Sequence, residues 1–229
     1  MDSKKDFAVV NTSKTADGSD TLYSSVFDAH YHSSHGAKQE SNHVFIQEGL
    51  NHYSRLHSKN TISILEIGMG TGLNVLLTLL CSDAPQVYYT TIEGYPISPE
   101  LSKELNYAGN TQEQAYFDLI HESPWEEWIN LNESFKLYKN HSLFEEVDYK
   151  EQYDIVYFDA FAPSTQPHLW TKDLLSSIVT AMNPGGILVT FCAQGAFKRE
   201  LKSLNLEVER VPGPPGKREM TRAVKKQFS

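Results

Sequence analysis

The chain has 229 residues, 40% of them hydrophobic and 11% aromatic, with a formal net charge of −9. That is enough for one large α/β domain, or for a core domain with an appendage. No apolar run reaches the ~18 residues of a membrane span, the start holds no signal-peptide core, and Cys81 and Cys192 alone make neither a disulfide framework nor a cysteine zinc site. A cytoplasmic protein is expected. The acidic balance speaks against nucleic acid, yet from Ala196 onward nine Lys and Arg face four Glu. Such a basic end suits a local phosphate contact and a solvated face equally well.

Residues 1–20 are polar, mix both charge signs and carry Asp17-Gly18, as a short hairpin or a loose terminus would. His30, His32, His35 and His43 follow. No nearby carboxylate or cysteine completes a recognisable ligand set, so surface or ligand-pocket histidines are expected and a metal is not. Ser41 to Arg55 reads as a helix with an approximate apolar stripe of Val44, Phe45, Leu50, Tyr53 and Leu56. Standing ahead of the first core strand, this segment is placed to cover a cleft.

Ile62, Ile64, Leu65 and Ile67 form a short apolar run of the kind buried in parallel sheets. Gly68, Gly70 and Gly72 end it, and Leu73 to Leu80 opens a helix. Three alternate glycines cost more backbone entropy than one turn needs, which points to a main chain approached by a ligand at the strand's carboxyl end. The spacing G-x-G-x-G is one residue short of the dinucleotide fingerprint G-x-G-x-x-G. With Glu66 ahead of it, E-x-G-x-G-x-G resembles the first motif of S-adenosylmethionine (AdoMet) methyltransferases.

Gln86 to Ile92 is a second strand, and it ends in Glu93, about 20 residues past the glycines, a spacing that suits the ribose hydroxyls of an adenosine. Pro96 to Leu105 follows as a helix with Ser98 and Pro99 near its start. Residues 107–134, with Trp125, Trp128, Tyr116, Phe117, Ile120 and Ile129, read as a small helical insertion over the sheet's edge. Phe135 to Lys139 alternates as a third strand ending at Asn140. Tyr153 to Asp159 is the clearest strand after the first, and it delivers Asp159 to the same cleft as the glycines. The next helix begins at about His168, too far on for Asp159 to cap it, so Asp159 is the first candidate for catalysis. Met182 to Gly186 reads as a turn, ILVTFC as the fifth strand and Ala196 to Leu204 as a helix. Glu207–Val211 and Thr221–Lys226 form a closing antiparallel pair, whose loop carries Lys217 and Arg218 at the mouth of the fold.

ILEIGMGTGLN, TIEGYP, YFDAFAPSTQPHLW, NPGGILVTFCAQG and GPPGKREM, in this order, resemble the methyltransferase unit of the bacterial enzymes that finish 5-methylaminomethyl-2-thiouridine at the tRNA wobble position (MnmC/MnmD type). The resemblance runs from about Tyr31 to the C-terminus. It implies a Rossmann-like α/β methyltransferase with a mostly parallel seven-stranded sheet, an antiparallel last strand and an N-terminal lid. Residues 1–58 would be the extension and lid, and 59–229 the methyltransferase domain. The cofactor would be AdoMet and the partner the tRNA anticodon loop, with the methyl going to the exocyclic amine of 5-aminomethyl-2-thiouridine.

Carried over by motif, Glu66, Gly68, Gly70 and Gly72 would line the methionine end of AdoMet, and Glu93 would hold its ribose. Tyr31, Ser33, Gly36 and Glu40 would form the lid. Asp159 would face the amine, Phe161 and Trp170 would stack on the target base, and Lys217 and Arg218 would meet the tRNA. Lys139-Asn140 replaces the family's frequent Gly-Asp, so Asn140 is expected to meet adenine through its carbonyl oxygen. The chain stops where many relatives continue into a flavin-dependent oxidase, so neither flavin nor an oxidase step is expected. Three rivals remain: an aminopropyltransferase, a small-molecule amine N-methyltransferase of the same fold, and a non-catalytic AdoMet-binding protein. A nicotinamide dehydrogenase is disfavoured by the early third glycine.

Overall fold

The structure, a computed structural model, describes residues 9–81, 86–150 and 152–226. Val9–Lys14 (β1) and Asp20–Ser24 (β2) pair antiparallel around the Asp17-Gly18 turn, and Ala29–His30 (β3) joins β2 to make a separate three-stranded sheet. The hairpin alternative for the polar N-terminal stretch is therefore the one adopted, although residues 1–8 lie outside the described residues. The Asp17 carboxylate accepts from the backbone N–H groups of Ser19 (3.0 Å) and Gln39 (2.9 Å), tying the turn to the helix that follows.

That helix starts earlier than expected. Ala37–Ser41 (α1), a π-helical stretch Asn42–Asn51 and His52–Leu56 (α2) run end to end. The π-helical winding, with i→i+5 bonds, explains why the apolar stripe followed the α-helical period only approximately. Val44, Phe45, Ile46, Gly49 and Leu50 are buried against the main sheet.

The main sheet comprises Thr61–Ile67 (β4), Gln86–Ile92 (β5), Trp128–Asn130 (β6), Phe135–Asn140 (β7), Tyr153–Phe158 (β8), Met182–Thr190 (β9), Leu206–Pro212 (β10) and Glu219–Lys225 (β11). Their order is β10-β11-β9-β8-β4-β5-β7-β6. The run β9-β8-β4-β5-β7 is parallel, β11 is antiparallel to both neighbours, and β6 is an antiparallel edge. This is the expected mostly parallel sheet with an antiparallel last strand, but with eight strands instead of seven. The extra one lies inside the stretch read as helical. Trp128 sits directly opposite Tyr138 and also meets Tyr88 (ring centroids 5.4 and 5.6 Å), a cross-strand aromatic group that favours pairing over helix.

Leu73–Cys81 (α3), Thr111–Glu122 (α5) and the π-helical stretch pack on one face of the sheet; Lys172–Thr180 (α6) and Gly195–Ser203 (α7) pack on the other. Strand residues alternate between the two cores: Ile64 and Tyr157 go to the first, Leu65 and Phe158 to the second. Only Pro99–Ser102 (α4) of the helix expected over Pro96–Leu105 forms, with the Ser98 hydroxyl accepting from Leu101 N–H as its cap. Met182 to Gly186, expected as a turn, is instead part of β9: a bulge shifts the register between Met182, opposite Tyr153, and Ile187, opposite Ile155. Among the described residues no helix is long and apolar enough to cross a membrane.

Because β4 lies between β5 and β8, the chain leaves three neighbouring strand tips at Gly68, Glu93 and Asp159. Helices on opposite faces leave a crevice there, where ligands of open α/β sheets bind.

Candidate active site

The glycine loop is tied to both neighbouring strands. Gly68 N–H donates to Ile92 O (3.0 Å), and Asp159 N–H donates to Ile67 O (3.0 Å). Gly68 has φ of +93°, and a Cβ there would stand 2.8 Å from Asp159 O, so only glycine lets the two tips meet. Gly70 N–H donates to Glu93 Oε2 (2.9 Å), while Tyr95 N–H donates to Glu93 Oε1 (2.8 Å). Burial raises the Glu93 carboxyl's pKa, and these backbone N–H groups oppose the rise.

Gly68, Gly70, Glu93, Asp159 and Phe161 line one cleft, joined by Tyr31, Ser33, Glu40 and Lys217 from the N- and C-terminal segments. The Tyr31 ring covers Gly70 and meets Phe161 edge-on (5.2 Å). Glu40 is buried, accepts from Ser33 N–H (3.0 Å) and pairs with Lys217. Lys217 Nζ also lies 4.1 Å from the centre of the Phe191 ring. Lys217 is thus a cross-strut between the N-terminal segment and the C-terminal loop. Arg218 is exposed and outside the cleft.

Several residues expected at the ligand stand behind the wall. Glu66 is 0% exposed and does not line the cleft. It accepts from Asn74 Nδ2 (3.0 Å) and Thr91 Oγ1 (2.7 Å), and burial pushes its carboxyl up to about 8. Gly72 faces His121, whose Nε2 would be 2.9 Å from a Cβ, and Gly36 faces the Asp17 carboxylate. Trp170 is packed between Phe158 and Phe197, and its indole N–H donates to Phe161 O (2.9 Å). It shapes the Asp159 loop; no open face is left for a base. Asn140 also lies outside the cleft lining, beside Glu93, whose N–H donates to its carbonyl (2.9 Å). Its Oδ1 is buried without a protein partner.

Of the four early histidines, His30 and His32 line the cleft, whereas His35 lies against Gly216 and His43 Nε2 is 2.8 Å from Pro212 O. Burial holds His32 neutral, pulling it down to about 4 despite Glu40 and Asp17 nearby. Among the described residues no group of three or more His, Cys, Asp or Glu could hold a metal.

Asp159 Oδ2 accepts from Asn74 Nδ2 (2.8 Å). Burial, together with Glu66 and Glu40, pushes the Asp159 carboxyl well above its ordinary range. Sequence reading missed Asn74, Phe27, Tyr95 and Phe191, all on the cleft wall. For Asn74 a signal existed, since it is an amide in the first turn of the mostly apolar α3. For Phe27, which packs on Phe161 (5.0 Å) and Tyr95 (5.6 Å) from the loop between β2 and β3, there was none.

These features fit an AdoMet-sized ligand. Gly68 and Gly70 put backbone on the cleft wall and the Glu93 carboxylate beside them suits ribose hydroxyls, whereas the Asn140 Oδ1, buried behind the wall, offers adenine nothing. Residues 130–226 match the family described as S-adenosyl-L-methionine-dependent methyltransferase. Fold, cleft and match are those of an AdoMet-dependent methyltransferase.

Its particular likeness is to the methyltransferase part of MnmC. It is 29% identical over 213 residues to the tRNA 5-methylaminomethyl-2-thiouridine biosynthesis bifunctional protein MnmC of Leptospira interrogans, covering 87% of this chain and 33% of that one. The crystal structure of MnmC2 from Aquifex aeolicus superposes with a TM-score of 0.75 at 25% identity, over 95% of this chain and 70% of that one. A spermidine synthase shares the fold alone (TM-score 0.53, 14% identity, 95% of this chain and 73% of that one). The chain spans about a third of the length of the curated relatives it matches.

Proposed function

We propose that this chain modifies tRNA in the cytoplasm, transferring a methyl from AdoMet to the exocyclic amine of 5-aminomethyl-2-thiouridine at the wobble position. The observation that carries this reading is the Asp159 carboxyl on the cleft wall, beside the glycine loop and held by Asn74. The likeness to MnmC along most of the chain supports an RNA-borne amine as acceptor.

Bound AdoMet supplies an electrophilic methyl on a positively charged sulfur. Gly68 and Gly70 line its methionine end and Glu93 takes the ribose; Asn140, outside the cleft, makes no contact with adenine. Tyr31 and Ser33 close over it, with Gly36 and Glu40 holding that lid in shape. Residues 1–58 serve as lid and 59–229 as the catalytic domain.

The target amine arrives mostly as an ammonium, which Asp159 attracts and orients. Buried and beside Glu40, the Asp159 carboxylate has a raised proton affinity, so when ionised it also takes the amine's proton and frees the lone pair. Phe161 and Phe27 offer the flat surface for a splayed base. Arg218 is free to meet phosphate.

One observation favours a second reading: Glu40 and Glu145 join Asp159 on the cleft wall, as a small polyamine acceptor would require. A single experiment separates the two. The protein is incubated with labelled AdoMet, putrescine and tRNA from cells lacking the methyl group, and the tRNA is digested to nucleosides. Label in 5-methylaminomethyl-2-thiouridine is expected. Label in the diamine would move the assignment to the second reading, and no label under any buffer condition would refute both.

A further inference from the structure

Asn74 Nδ2 carries two hydrogens and has two carboxyl partners, Glu66 Oε1 at 3.0 Å and Asp159 Oδ2 at 2.8 Å. The amide is 2% exposed, and it forms part of the cleft wall. Its own oxygen, Oδ1, is buried with no protein partner. Turning the amide over would press that oxygen against the Asp159 carboxylate and take its donor away, so Asp159 dictates the orientation and the orphaned acceptor is the consequence. A side chain serving only the core would not be expected to leave such an atom unsatisfied. Glu66 is in turn held from its far side by Thr91 Oγ1 (2.7 Å), so the bridge rests on a fixed base. Asn74 also sits in the first turn of α3, where the helix end favours negative charge.

From these contacts we infer that Asn74 is a positioning residue: it anchors the Asp159 carboxylate to the buried Glu66 and fixes the oxygen that faces the acceptor amine. The inference rests on the amine-methylation reading above. Groups facing Asp159 come from every side: Glu66 on β4, Glu40 on α1, Lys217 on the C-terminal loop and Tyr89 on β5. Of these neighbours and the bridge, the Asn74 N–H and Lys217 favour the ionised carboxylate; the carboxyls oppose it. Removing the amide therefore raises the pH at which Asp159 ionises.

The test is a double-mutant cycle read across pH, with methyl transfer to unmethylated tRNA, AdoMet affinity by calorimetry and the Asp159 carboxyl titration by carbon NMR. Asn74→Ala is expected to lower kcat by about ten- to a hundredfold, the worth of a hydrogen bond to a charged group. The acid limb of its rate profile should rise by about one pH unit while AdoMet affinity stays near wild type. In the Asp159→Asn background the same substitution should cause little further loss. Losses that multiply, or AdoMet affinity falling in step with kcat, would overturn the inference. If Asn74→Ala does not fold, Asn74→Ser, whose single O–H cannot bridge two carboxyls, is read in the same way. If the wild type methylates no tRNA, the functional reading fails separately. The NMR titration then decides: a higher Asp159 midpoint in the variant supports the bridge, and an unchanged one refutes it.

Discussion

Glu66 gives the sharpest stability prediction. Its carboxyl is fully buried, and burial moves it from an ordinary 4.5 to about 8. In the folded chain it therefore keeps its proton through neutrality, whereas in the unfolded chain it releases it. Such a raised group contributes stability that is fully present below about pH 4.5 and is lost as pH climbs through about 8. The displacement is worth on the order of 4–5 kcal/mol, of which about 4 should be expressed between pH 5 and 8.5. Glu66→Gln removes the titration but keeps an oxygen to accept from Asn74 Nδ2 and an amide to donate to Thr91 Oγ1. Urea unfolding of both proteins at half-unit pH steps gives the difference curve. The variant should gain on wild type by several kcal/mol as pH rises and be close to it at pH 5. AdoMet binding should persist in the variant, because Glu66 is outside the cleft. A flat difference curve would refute the buried, protonated assignment, and loss of AdoMet binding with the fold intact would restore Glu66 to the ligand.

His121 should act at the opposite end of the scale. Burial pulls it down to about 4, so its contribution is present above about pH 6.5 and lost as pH falls through 4; His121→Gln should flatten the acid limb of the unfolding curve. Gly68→Ala forces a Cβ within 2.8 Å of Asp159 O at positive φ and should cost about 3 kcal/mol and AdoMet binding, measured by urea unfolding and calorimetry. The control Gly18→Ala, also at positive φ but with nothing within 4 Å, should cost only about 1–2 kcal/mol and leave AdoMet binding intact. Arg218→Glu should weaken tRNA binding without touching AdoMet. Lys217→Glu should weaken both, since it sets a second carboxylate against buried Glu40; gel shifts and calorimetry on the two single variants separate these effects.

The parallel strands and the strand-tip positions of Gly68, Glu93 and Asp159 could be read from local pattern, because short apolar runs ending in glycine or acid report a buried strand and its carboxyl end. Residues 107–134 could not. Their edge strand exists only because Trp128 finds Tyr138 and Tyr88 across the sheet. Ser41–Arg55 reads as helix from its stripe but not as π-wound; within it Gly49 lies so close to Tyr157 and Val189 of the sheet that an added Cβ would stand 3.1 Å from each.

Within the cleft, the motif named the right neighbourhood and misjudged several directions. Glu66, Gly72, Gly36 and Trp170 are all expected at the ligand, yet they lie outside the cleft lining, packed behind the residues that form it. A one-dimensional pattern cannot distinguish these two duties, because both require the same residue at the same place.

What the order of residues determined by itself is therefore the cofactor class and the strand that carries each reactive tip. These follow from interactions between near neighbours in the chain. Only the tertiary structure decided that Lys217 is a strut to Glu40, that Asn74 joins Glu66 to Asp159, and that Phe27 lies over Phe161. The Lys217–Glu40, Asn74–Asp159 and Phe27–Phe161 contacts each join residues dozens of positions apart or more, and no local periodicity encodes a contact made across a cleft.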